Sequence, residues 1–297
     1  MLAALVAAGC GSSRRALGEA GFRYASNGLI AVSQPGASRP APASLAVPLR
    51  PSHPSAASRT ASAPAAPAAP GAPRGPQSAR LIAAAAADAL ATELNRLPHG
   101  TTAVAWATGP PVSIYDSPRA RRPEQRFSTH DQFGISRVFL VKHATAGWLE
   151  VYLPIRPNDA TGWVRSASVG LTLDRYRVVV DTARHELTIL RSDHAVIHAS
   201  VGIGKPATPT PHGLFYVLQE LRVVPQTGPY GTYAFGLSAY SNVLQRFGTG
   251  PAQVALHGTD EPWSIGQSTS NGCIHLSNSV ADRLARTLPL GTPVQIV

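Results

Sequence analysis

Val254-Ala255-Leu256-His257-Gly258-Thr259 and Ser270-Asn271-Gly272-Cys273-Ile274-His275-Leu276 decide how this chain reads. In the first stretch an apolar strand delivers one histidine into a glycine turn. Sixteen residues after His257, a small polar loop delivers Cys273. A free thiol, with a pKa of about 8.5, is only slightly ionised at neutral pH. A neighbouring imidazole takes its proton, and an ion pair then favours the thiolate. The small residues before Cys273 let backbone N–H groups approach a developing oxyanion. A helix starting after the cysteine adds a favourable dipole. The pattern predicts a Cys/His nucleophile, with Cys273 attacking and His257 as its base. The plain alternative is a small buried hydrophobe, against which stand polar Ser270, Asn271 and Gly272.

The residues around these stretches alternate as strands. Tyr176-Arg177-Val178-Val179-Val180-Asp181, His185-Glu186-Leu187-Thr188-Ile189-Leu190 and Val196-Ile197-His198-Ala199-Ser200-Val201 predict an antiparallel meander with turns between. Gly202, Gly204 and Pro206 end it. Thr208 to Val217 reads as a rigid loop entering another strand. An amphipathic helix is predicted over 277–288, and a closing strand over 291–297. Residues 174–297 therefore form one β-rich domain with one or two short helices. No H-E-x-x-H and no paired cysteine spacing occurs, so neither a metal nor a cofactor is expected. Asp260, three residues after His257, reads either as a third member of the pair or as a solvated turn residue.

His257-Gly258-Thr259 followed by Ser270-Asn271-Gly272-Cys273-Ile274 resembles the signature of the L,D-transpeptidase catalytic-domain family. The Thr210-Pro211-His212-Gly213-Leu214-Phe215 loop and the Gly291-Thr292-Pro293-Val294 ending are similar to the family as well. Asn271 stands where that family often has His, and His275 where it usually has Arg. The resemblance implies that Cys273 forms a thioester with the L-centred residue of a peptidoglycan tetrapeptide stem and releases D-alanine. A neighbouring stem's amine then takes the acyl group; capture by water is L,D-carboxypeptidase action instead. It also implies acylation by carbapenem β-lactams. Backbone N–H groups of Asn271, Gly272 and Cys273 are the implied oxyanion donors. Ser270 is expected to hydrogen-bond the loop, and the Gly258 carbonyl to orient His257. Tyr240, Trp263, His275 and His212 are candidates for contact with substrate, although Tyr240 and Trp263 read equally as ordinary packing.

Towards the N-terminus, residues 103–170 carry short runs rich in β-branched and aromatic residues, separated by turns. Gly147-Trp148-Leu149-Glu150-Val151 and Thr161-Gly162-Trp163-Val164 resemble the bacterial SH3-like barrel that accompanies cell-wall enzymes. Trp148 and Trp163 are then either barrel core or a groove for a wall peptide. Residues 78–97, with five consecutive alanines, predict a helix stopped by Pro98 and Gly100.

Residues 11–77, rich in Pro, Ala and Ser, predict a disordered tether that cannot bury enough apolar area to offset its ordering entropy. Residues 1–10 resemble the truncated end of a bacterial lipoprotein export signal, with Cys10 as the lipidated residue. The chain is thus expected to be exported to the cell envelope. The whole chain of 297 residues carries a net charge of +10, of which residues 1–80 hold +7. A basic face on a folded domain, as nucleic-acid binding wants, is therefore not expected. A basic tail meets an anionic membrane or wall polymer, or is simply solvated. A competing reading makes the whole chain a non-catalytic wall-binding protein.

Overall fold

The computed structural model describes residues 29–31, 76–224, 226 and 228–297. The expected lipidation site Cys10 and nearly all of the proposed tether lie outside them. In chain order come β1 (Leu29–Ala31), α1 (Pro76–Leu94), β2 (Thr102–Ala107), β3 (Val112–Ile114), β4 (Gln125–Phe127), β5 (Val138–Thr145), β6 (Trp148–Tyr152), β7 (Thr161–Arg165) and β8 (Val169–Asp174). The second half adds β9 (Tyr176–Asp181), β10 (Glu186–Arg191), β11 (His194–Ser200), β12 (Ile203–Gly204), β13 (Gly213–Val223), β14 (Tyr233–Tyr240), β15 (Gln253–His257), β16 (Ser268–Ser270), β17 (Ile274–His275), α2 (Asn278–Ala285) and β18 (Pro293–Ile296).

A small β domain comprises the five-stranded sheet β7-β6-β5-β2-β8 and the β3-β4 ribbon. Its core gathers Ala105, Val112, Ile114, Phe139, Leu149, Val151 and Val164. Helix α1 packs Ala91 and Leu94 against this core, and the Asn95 side chain caps the contact by bonding both the N–H and the carbonyl of Ala144. That anchor ends the helix at Leu94, three residues before the expected end at 97. Trp148 is buried, edge-on to Tyr115 at 5.1 Å between ring centroids.

The second domain is built on the sheet β11-β10-β9-β18-β13-β14-β15-β17. Strands β9, β10 and β11 form the expected meander, and β18 closes the chain parallel to β9. Alternate residues Val178, Val180, Leu187 and Ile189 fill one core with Phe235, Leu256, Ile274 and Leu284, as a period of two requires of a half-buried strand. Strand β1, inside the stretch read as a tether, pairs antiparallel with β13. Beyond β16, the expected helix after Cys273 is absent. Ile274 pairs with Leu256 as strand and is fully buried, so the core recruits this segment before a helix can start. Helix α2 begins at Asn278 instead, where the Ser277 hydroxyl accepts the Val280 N–H.

Strand β13 is buried on both faces. Phe215 and Val217 enter the core of the second domain, while Tyr216 and Leu218 meet Val104, Val138 and Leu140 of the small domain. The Tyr216 hydroxyl donates to the Tyr152 carbonyl at 3.0 Å, and Thr292 donates to Asp174 at 2.6 Å. A Cβ on Gly291 would lie 2.3 Å from a Val104 methyl, so the closing turn abuts the small domain too tightly for a side chain. The two domains share a continuous seam.

Candidate active site

Parallel pairing of β15 with β17 sets Leu256 beside Ile274 and His257 beside His275. Leu256 and Ile274 point into the core. Their neighbours point the other way, because successive side chains alternate across a strand. Cys273 sits one residue before Ile274 and hydrogen-bonds the Ala255 main chain, which sets it beside the strand that ends in His257. Both residues line one cavity of about 410 Å³, together with His275, Tyr230, Ser270 and Asn271.

The imidazole is held rigidly. His257 Nδ1 lies 2.6 Å from the Gly258 carbonyl oxygen. A carbonyl only accepts, so Nδ1 carries the proton and Nε2 keeps its lone pair for the cavity. The ring of Tyr230 stands edge-on to it at 4.9 Å, and His275 lies 4.8 Å away on another side. The Asn278 side chain fixes the turn after His257 by accepting the Thr259 N–H at 3.1 Å and donating to the Thr259 carbonyl at 3.1 Å.

Burial lowers His257 to about 3, helped by neighbouring His275 and opposed by the Gly258 hydrogen bond. Burial likewise pushes the Cys273 thiol up to about 11, against a hydrogen bond with the Ala255 main chain. Burial thus favours the neutral form of each group, against the ion pair expected from the sequence. Desolvation costs two separated charges more than their attraction returns.

The nucleophile loop is fastened from within and below. Ser270 donates its hydroxyl to the Cys273 carbonyl at 2.6 Å and accepts the Gly272 N–H at 3.0 Å. The Gly272 N–H is thus already engaged within the loop. The N–H groups of Asn271 and Cys273 meet no protein acceptor among the described residues. Gly272 adopts φ of 114°, a conformation that glycine enters freely and other residues only under strain. Thr210 joins the loop to the preceding strand, donating to the Gly272 carbonyl at 3.1 Å while accepting the Gly204 N–H at 2.9 Å.

Of the remaining candidates, His275 lines the cavity and bonds Ser264 through Nδ1. Tyr240, Trp263 and His212 do not line it. Tyr240 turns to the small domain, donating to the Pro154 carbonyl. Trp263 is 63% exposed on a single 3-10 turn, and His212 is exposed beside Thr182. Asp260 is exposed; its charge favours protonated His275. Sequence reasoning missed Tyr230, Thr210 and Asn278, whose roles depend on contacts across the fold. Thr210 lay in a loop singled out by its family likeness, the one available hint. No cluster of three or more metal-ligating side chains occurs among the described residues.

Residues 175–296 match the family model described as YkuD, L,D-transpeptidase catalytic domain. The chain is 33% identical over 121 residues to YkuD of Bacillus subtilis (strain 168), a protein whose name assigns it to the L,D-transpeptidases. It is 34% identical over the same length to the protein of that name in Bacillus licheniformis. Each match covers 41% of this chain and 65% of the relative, just under two thirds of its length. Among solved structures, an L,D-transpeptidase from Mycobacterium smegmatis is 17% identical with a TM-score of 0.35, covering 54% of this chain and 90% of the other. The identification therefore attaches to a segment: residues 175–296 carry the match to the L,D-transpeptidase catalytic-domain family.

Proposed function

We propose that this protein is a peptidoglycan L,D-transpeptidase. The observation that carries the reading is that Cys273, just before β17, and His257, at the end of β15, line the wall of one cavity. As the Cys273 sulfur attacks the carbonyl of an L-centred residue in a tetrapeptide stem, its proton passes to His257 Nε2. The Asn271 and Cys273 N–H groups donate to the oxyanion. Collapse of the tetrahedral intermediate breaks the amide bond, and His257 returns the proton to the departing D-alanine amine. The amine of a second stem attacks the thioester, loses a proton to His257, and the thiol is restored as the cross-link forms. Oxyanion donors in such acyl transfers are worth roughly 3 kcal/mol each, so the loop geometry set by Ser270 and Thr210 matters as much as residue identity.

Around this core, the small β domain is read as an SH3-like module that presents the enzyme to the wall. Cys10 is read as the lipid attachment of an exported protein, and the basic segment after it as a contact for anionic polymer. Purified protein mixed with tetrapeptide muropeptides tests the central claim. Dimers with released D-alanine support it. Tripeptides alone mean a carboxypeptidase, and bound but unchanged stems mean a wall-binding protein.

A further inference from the structure

One wall of the cavity has no core of its own. Residues 241–252 contribute Ser241, Leu244, Phe247 and Ala252 to the lining, yet no side chain from Asn242 to Pro251 is buried. Bonds within this segment are local, such as Phe247 with Gly250 and Ser241 with Ala252. Its outward anchors come from the small β domain. The Arg156 guanidinium donates to the carbonyls of Pro251 at 2.8 Å, Leu244 at 2.8 Å and Ser241 at 3.2 Å. It also lies 4.8 Å above the ring of Tyr240. Asn158 accepts the Tyr240 N–H and donates to the Tyr240 carbonyl and the Asn242 side chain. A planar guanidinium spreads five donors over a fixed fork and so reaches carbonyls set well apart, which the three donors on a single ammonium nitrogen do less well.

We infer that Arg156, seconded by Asn158, is a positioning residue for the stem-peptide cavity: the small domain holds the 241–252 wall closed over the donor and thereby sets substrate affinity. The inference rests on the acyl-transfer reading of the same cavity. Arg156 touches no reacting atom, and the Cys273 loop has its own fastenings. Freeing the wall therefore weakens binding far more than chemistry.

The test uses the full chain with Arg156→Ala, Arg156→Lys and Asn158→Ala. Arg156→Ala is expected to raise the KM for a tetrapeptide stem about tenfold with kcat within about threefold, the signature of lost uniform binding. Arg156→Lys is expected to fall between it and the wild type. Alkylation of Cys273 by iodoacetamide, which needs no wall, stays at the wild-type rate. Brief trypsin treatment gains cleavage after Arg246, at the tip of the freed segment, in the order Ala, Lys, wild type. Unchanged KM and unchanged cleavage at Arg246 overturn the inference, as does a parallel fall of kcat and alkylation rate at constant KM. Should Arg156→Ala not fold, the lysine and Asn158 variants decide by the same readouts. A wild type that leaves stems intact sinks the acyl-transfer reading alone, because the Arg246 cleavage order still reports on the wall.

Discussion

The cavity has two sides built on different principles. The β15/β17 floor stands on buried side chains. Leu256 and Ile274 are fully enclosed beneath His257 and Cys273, and Ser270 and Thr210 stitch the intervening loop. The 241–252 wall stands on polar ties to a neighbouring domain. A packed floor resists displacement because close-packed interiors leave few voids to move into. A wall held by hydrogen bonds to one guanidinium moves at modest cost. On the proposed reading, chemistry belongs to the second domain, whereas the shape of the cavity belongs to both.

The strongest attempt to break this comparison is Cys273→Ala. It is expected to abolish turnover while the melting temperature and wall binding stay near wild type. Residual cross-linking in muropeptide assays would remove the mechanism. His257→Gln comes next, with a fall in kcat of roughly 10²- to 10⁴-fold, the range for a lost general base. Single-turnover acylation measures it.

The third prediction concerns packing alone. Ile274→Ala is expected to cost about 2–4 kcal/mol, from lost transfer energy and the cavity left behind. Exposed Val243 on the wall, at 54% exposure, predicts a change within about 0.5 kcal/mol for Val243→Ala. Urea melts of the two variants compare floor with wall directly; equal losses would erase the distinction.

A smaller effect sharpens the electrostatic side. His257 is neutral in the fold, down to about 3, but in the unfolded chain it takes a proton near its ordinary value of 6.5. Between those two values the unfolded state binds more protons, so stability falls as pH drops through the window. Thermal melts from pH 7 to pH 4 are expected to decline, and His257→Gln to decline less. The raised Cys273 thiol works in the opposite direction, losing stability as pH climbs from about 9 to about 11. Alkylation of Cys273 accordingly rises through pH 8 and 9 without a plateau near neutrality.

Much of the site was legible because its residues are local in sequence. The glycine turn after His257 and the small residues before Cys273 signal their chemistry by type and order. The meander was legible too, since strand alternation writes burial into every second residue. The misreadings share one cause. A helix after Cys273 fits a local view, but Ile274 is claimed by the core beside Leu256. An ion pair fits two isolated side chains, yet burial makes the neutral pair cheaper. Tyr240 suits a substrate groove by composition, yet the partner domain supplies its nearest cation and acceptor.

By itself, then, the order of residues marked Cys273 and His257 as a candidate nucleophile and base and set the β character of both domains. Such features follow from side-chain chemistry and strand period, which act over a few residues. Only tertiary structure decided the burial that shifts the pair and the tie from Arg156 to the wall. These depend on desolvation and on contacts between segments 85 or more residues apart, whose encounter no local pattern encodes.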